Sequence, residues 1–135
     1  MMLQRYATTK IATAGLSWLL FSAVSHAEII DVEWDAAGKF ERSQSVAASK
    51  FVEICENLPK DAVVNWQFKA SAPLNFNIHF HQGKDVAFPE KQEGVSELQG
   101  SLVAQSREDY CWMWTNKGDA ASNIRVLLAK STLKR

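Results

Sequence analysis

The sequence predicts an all-β fold, an antiparallel β-sandwich of about seven to eight short strands. Three observations lead there. From Leu74 to His81, apolar Leu74, Phe76, Ile78 and Phe80 alternate without a fault with polar Asn75, Asn77, His79 and His81. That period of two marks a strand with one buried and one polar face. Helical periodicity nowhere persists for three turns, and turn residues punctuate the chain often enough to leave only short extended segments between them.

Taken in order, the chain begins with a segment that reads as a signal peptide, residues 1–27. Arg5 and Lys10 stand in a stretch without acids, an apolar run over 11–24 follows, and Ser25, His26 and Ala27 place small residues where a signal peptidase reads. The run is too short for a comfortable membrane anchor. No cysteine follows the cleavage site, so a bacterial lipid anchor is not expected. The expected product is one domain, residues 28–135, periplasmic or secreted, with no membrane span. Two of the 15 Lys and Arg residues leave with the signal while all 15 Asp and Glu stay, so the domain is slightly acidic. Such a balance offers no electrostatic reason to expect nucleic acid or an anionic membrane as partner.

Within the domain, residues 29–34 form a short extended candidate, and Asp35 to Gly38 a turn. Residues 43–48 and 50–56 are expected as strands, then Pro59 to Asp61 turns. Residues 62–71 alternate again, with Val64, Trp66 and Phe68 on one face. Pro73 opens the strand from Leu74 to His81, because proline suits the start of a strand and not its interior. Gln82 and Gly83 end it. A loop broken by Pro89 is expected over 84–92, and a strand over 96–105 with Gly100 as a bulge. The aromatic segment 110–116 and residues 124–128 supply the last two strands. Phe76, Ile78 and Phe80 are expected to be buried against Trp66 and Phe68 on a paired neighbouring strand.

Cys55 and Cys111 are the domain's two cysteines. In an oxidising compartment they are most simply a disulfide, closing a loop of about 55 residues worth roughly 4 kcal/mol in chain entropy. A redox pair or a thiolate metal ligand is the alternative, although no C-x-x-C motif is present.

Several of these residues together resemble a known family. Cys55 and Leu58, then Val64, Trp66 and Phe68, then the strand Leu74 to Phe80, then Tyr110 and Cys111 followed by Asn116, are similar to the GOLD-type β-sandwich. That jelly-roll-like domain belongs to cargo receptors of the early secretory pathway, where two cysteines at corresponding places are joined. The resemblance covers roughly residues 50–130. It implies the fold and an interaction role. It does not extend to the coiled coil, membrane helix and sorting tail of those receptors, and so does not imply trafficking.

His79 and His81 form a pair on one strand face, with Cα atoms about 6.5 to 7 Å apart. Two imidazoles so placed can converge on zinc, copper or nickel. A further ligand is needed, and Glu53, Asp85, Asp109 and Met113 are candidates, Met113 if the ion is copper(I). The competing reading leaves both histidines on a hydrogen-bonded sheet face beside Asn75 and Asn77. Tyr110, Trp112 and Trp114 alternate with Cys111, Met113 and Thr115, which makes one strand face aromatic. That face is either core or a ligand platform.

Catalytic signatures are missing: the chain has no G-x-S-x-G elbow and no glycine-rich phosphate loop. Ser71, Ser101 and Ser106 exist, but no spacing joins one to a histidine. The sequence therefore points to a non-enzymatic exported binding module for a protein or small-molecule partner. Its expected surface is Asn75, Asn77, Trp112 and Trp114, with no obligate cofactor. The alternative is a periplasmic copper- or zinc-binding protein using His79, His81 and Met113.

Overall fold

A computed structural model describes residues 28–131. The expected signal segment, residues 1–27, lies outside them. Seven strands follow one another: β1 Glu28–Asp31, β2 Lys39–Val46, β3 Phe51–Leu58, β4 Val63–Gln82, β5 Asp85–Val103, β6 Glu108–Thr115 and β7 Ser122–Lys130. They form a curled sheet in the order β1-β3-β6-β4-β7-β2, with β5 alongside β4. The expected all-β, sandwich-like fold with one disulfide is what is found.

The curl comes from β4, which serves two layers. Its first half pairs with β7, from Val64 opposite Lys130 to Ala70 opposite Ile124. Its second half pairs with β6, from Asn75 opposite Thr115 to His79 opposite Cys111. One layer is thus β1, β3, β6 and the end of β4; the other is β2, β7 and its beginning. At the open side, Gln44 Nε2 on β2 donates to Glu28 Oε2 on β1 over 2.8 Å, tying the two outermost strands.

Residues 62–71 and 74–81 were expected as two strands and are one. Pro73 lies inside it, where the pairing of β4 with β5 shifts register between Lys69 and Leu74. Proline has no N–H to give to a ladder, so the pairing breaks while the chain runs on. Side chains satisfy the freed backbone there. Ser122 Oγ donates to Ala72 O at 2.9 Å and accepts from Ala72 N at 3.1 Å. Ser71 Oγ accepts from Asn123 N at 2.9 Å.

The expected loop over 84–92 is also strand. Pro89 falls in a bulge, between the pairs Phe80–Ala87 and Ile78–Glu90. Phe88 and Pro89 together face the single residue His79, so the proline interrupts the ladder without ending the strand. Gly100 is not a bulge, being in register opposite Trp66. β2 begins four residues before the expected 43, and β3 runs on to Leu58. One pairing departs from the antiparallel rule: β1 runs parallel to β3.

The inner faces make one core, with Phe68, Phe76, Trp112, Trp114, Ile54 and Leu128 all 2% exposed or less. Each such side chain contributes about 1.5–3 kcal/mol by leaving water. Phe68 stands edge-on to Trp114 at 5.5 Å between centroids. The indole N–H groups of Trp66, Trp112 and Trp114 have no protein partner, a cost that the large apolar rings must outweigh. Asn116, buried at the end of β6, is better served. Its Nδ2 donates to Val46 O and Ala120 O, and its Oδ1 accepts from Gly118 N.

Candidate functional site

The register of the first layer decides which side chains share its outer face. His79 is opposite Cys111, Asn77 opposite Met113 and Asn75 opposite Thr115. On the next strand Cys111 faces Cys55 and Met113 faces Glu53. Beyond these, Asp31 pairs with Cys55 and Ile29 with Glu53. Directly paired residues project to the same side of a sheet. Alternation in each strand therefore carries the disulfide, the histidines and Glu53 outward while Ile54, Trp112 and Ile78 go into the core.

Cys55 and Cys111 are bonded, with Cα atoms 4.1 Å apart. The bridge joins directly opposed residues of adjacent strands on the outer face. The thiolate ligand is thereby set aside, since the described residues hold no free cysteine.

Beside the bridge lies a pocket of about 600 Å³. His79 and His81 form one wall, Glu53 and Asp31 another, and Glu108 and Asp109 close the end. Neither lysine nor arginine is among its lining residues. His79 is only 7% exposed, whereas His81 is open to solvent. Their rings meet edge-on, 5.5 Å apart. His79 Nδ1 is 2.8 Å from Asn77 Oδ1, an oxygen that can only accept, so the proton of the neutral ring sits on Nδ1. That leaves the lone pair at Nε2, which is 3.8 Å from Glu53 Oε1 and makes no hydrogen bond. Burial lowers the His79 pKa from its ordinary 6.5, Glu53 works against this, and His81 adds to it.

The sequence candidates separate accordingly. Asn75 and Asn77 are on the outer face and half-buried, with Asn75 Oδ1 accepting from Gly94 N at 3.1 Å. Trp112 and Trp114 are 0% exposed, so the ligand-surface reading of these two rings gives way to the core reading. Alternation puts them on the opposite side of the strand from His79. Met113 shares the face but stands opposite Asn77 and Glu53 rather than the histidines. Asp85 is at the hairpin tip, paired with Gln82, and does not line the pocket. Among the described residues, Glu53, His79 and Cys111 bring three candidate ligand atoms within 4.8 Å. The sulfur of Cys111 is committed to the disulfide, so this cluster leaves two donors, Glu53 and His79, short of the four ligands of a structural zinc site.

No serine lines this pocket. Ser71 and Ser101 are engaged elsewhere, with Asn123 and Asn65, Ser106 Oγ is buried without a partner, and among the described residues no serine is hydrogen-bonded to a histidine. The second layer carries a comparable groove of about 620 Å³ on its outer side, bordered by Asn65, Gln67, Gln99 and Ser101. Its hydrogen-bonding walls hold no buried titratable group, so the histidine pocket is the stronger candidate.

Sequence reasoning missed Asp31, Ile29 and Phe88. The first two arrive only through the parallel pairing of β1, and Phe88 through the bulge at Pro89. Ile29, Phe88 and Val86 are 63%, 49% and 41% exposed around the pocket, and the Phe88 ring is 6.1 Å from that of His79.

No family model and no curated protein sequence matches the chain. Solved structures do. It is similar to PliG of Aeromonas hydrophila, a periplasmic inhibitor of g-type lysozyme, at 11% identity and a TM-score of 0.60, over 78% of this chain and 97% of that one. PliG of Salmonella Typhimurium matches at 14% identity and 0.56, over 78% of this chain and 100% of the other. The Yersinia pseudotuberculosis-derived mitogen matches at 12% and 0.53, over 72% and 89%. These likenesses do not confirm the GOLD-type resemblance. What they show is the coarser point, an all-β fold shared with periplasmic proteins.

Proposed function

We propose that the chain is an exported, non-enzymatic module that binds a protein partner through the outer face of β1, β3, β6 and the end of β4. The observation that carries this is the recessed His79–Glu53 pocket with exposed Ile29, Val86 and Phe88 around it. A polar recess with apolar side chains at its border is the composition of a protein contact surface. The signal-like segment supports export, and the lack of a serine or metal-ligand constellation at the histidines favours binding over catalysis. Analogy supports the same class: PliG proteins use this fold to inhibit a lysozyme.

The test is capture from the periplasmic fraction with the tag-free protein coupled to a resin. Wild type should retain a partner that Phe88→Glu loses, while Val103→Glu, an exposed change outside this pocket, should retain it. Lysozymes of several types form the first panel of purified partners, scored by loss of lytic activity. Equal capture by Phe88→Glu and wild type would move the working surface elsewhere. No retained protein at all would overturn the reading.

A further inference from the structure

We infer that the pocket between β1, β3, β6 and β4 receives the guanidinium of an arginine side chain presented by a partner protein. This rests on the binding-module reading and gives its partner a chemistry. Glu53 and His79 set two acceptors 3.8 Å apart, with no donor among the described residues bonded to His79 Nε2. His79 is 7% exposed as a residue and lines the pocket, and its Nε2 is the ring atom nearest the Glu53 carboxylate, at 3.8 Å. The complement of such a pair is a group that only donates and is positively charged. Asp31, Glu108 and Asp109 add negative potential from β1 and β6, and among the described residues the lining holds no lysine or arginine, the cations Arg107 and Lys91 standing only at its rim, beside Asn57 and Phe88.

Arginine fits better than the other cations. Its planar fork offers five N–H donors at fixed angles, so one guanidinium can bond a carboxylate oxygen and an imidazole nitrogen together. It is also more weakly hydrated than an ammonium, which lowers the cost of entering a recess walled by a disulfide and by Ile29. A metal ion is the poorer occupant, because the third donor is a disulfide sulfur. The pocket is moreover far larger than one ion requires. The chain's own Arg107 does not fill the place: its Nη1 donates to Asn57 Oδ1 at 3.1 Å, and Asn57 Nδ2 in turn donates to Asp109 Oδ1 at 2.8 Å. That chain of bonds occupies the far rim and leaves the Glu53–His79 pair unserved.

The test is an amide NMR titration of the exported protein with the peptide acetyl-Gly-Arg-Gly-amide, its lysine counterpart, and zinc chloride. The arginine peptide should give saturable shifts centred on Glu53, His79 and Cys111, and bind several-fold more tightly than the lysine peptide. Glu53→Gln should weaken it about ten-fold, as expected for losing a charge-assisted bond. Glu97→Gln makes the same charge change on β5 in the other layer and should leave binding unchanged. Should Glu53→Gln fail to give a dispersed spectrum, Asp31→Asn serves in its place, with a smaller loss expected. Equal loss in Glu97→Gln, shifts spread over every acidic surface, or zinc saturating these amides while the peptide does not would each overturn the inference. A captured protein that still binds Glu53→Gln as tightly as wild type would sink this inference alone. Absence of any captured protein would sink the broader reading alone, provided that the peptide still binds.

Discussion

The rings of Trp66 and Phe76 meet at a centroid distance of 5.0 Å although both residues belong to β4. On a straight strand, residues ten positions apart would be roughly 33 Å from each other. The chain must therefore fold over between them, and the register shift from Lys69 to Leu74 is where it does so. Phe76 also meets Phe68 at 4.9 Å and Trp114 at 5.4 Å, so one ring joins both halves of β4 to β6.

Phe76→Ala should accordingly destabilise the domain by about 3–5 kcal/mol, as for other buried aromatic truncations. Urea unfolding followed by tryptophan fluorescence measures it. A loss below about 1 kcal/mol would mean that the two layers are not held together through this ring.

Gly100 is the complement of this cluster on β5. A Cβ there would stand 2.7 Å from Trp66 Cζ2, closer than real contacts allow, and a tight 3.0 Å from Cε2. Trp66 is itself 5% exposed, so its ring has little room to retreat. Gly100→Ala should cost about 1–3 kcal/mol through overpacking. Trp66→Phe removes the part of the ring that is struck, and the double variant should recover most of the Gly100→Ala loss. Strict additivity in that cycle would place the strain elsewhere.

The disulfide yields a prediction about compartment as well as stability. Protein taken from the exported fraction should have no alkylatable thiol and a mass lower by two hydrogens than the reduced chain. Replacing both cysteines by alanine should cost about 2–5 kcal/mol, the range for small secreted domains. The cross-strand position adds a second expectation. Because Cys55 faces Cys111 directly, its loss should also loosen hydrogen exchange along the β3–β6 ladder. Unchanged exchange at Ile54 and Trp112 would show that the bridge acts on the unfolded chain alone.

Much of the fold is legible in particular residues. The unbroken alternation over Leu74 to His81 is enough to put Phe76 inside and His79 outside. What it cannot tell is where a strand stops. Pro73 and Pro89 read as strand ends because proline lacks an N–H, yet both sit where β4 and β5 are out of register and no ladder bond is required of them. For the candidate site, His79 and Glu53 carry the right residue types, but their meeting depends on β6 standing between β3 and β4. No local signal encodes that order. Asp31 is less legible still, since the parallel pairing of so short a strand as β1 follows from the shape of the whole sheet edge. The aromatic alternation at Trp112 and Trp114 favours a core but is also compatible with a platform, and the facing layer decides for the core.

His79 should make stability depend on pH in one direction. Its folded pKa is lowered by burial, with Glu53 opposing and His81 assisting. Asn77 fixes the neutral tautomer through Nδ1. The unfolded chain therefore takes up this proton more readily than the folded one. A base with a depressed folded pKa contributes fully above its unfolded value, near 6.5, and that contribution is lost as pH falls through the lowered folded value. Thermal or urea unfolding between pH 7.5 and roughly 5, above the ordinary range of carboxylates, isolates this window. Wild type should lose stability toward the acid end, and His79→Gln, which cannot take up the proton, should lose distinctly less. Asp31 and the acids of β6 face the same pocket, so Glu53→Gln is the informative second variant. Removing the carboxylate that stands 3.8 Å from the ring and favours the imidazolium should steepen the wild-type loss. Parallel pH profiles for wild type and His79→Gln would show that the ring takes up its proton equally well folded and unfolded, and a wild type that gains stability toward the acid end relative to His79→Gln would show that it is charged in the folded protein, with Glu53 outweighing burial. In that case Nε2 would carry a proton of its own, and the pocket would offer one acceptor where two are expected.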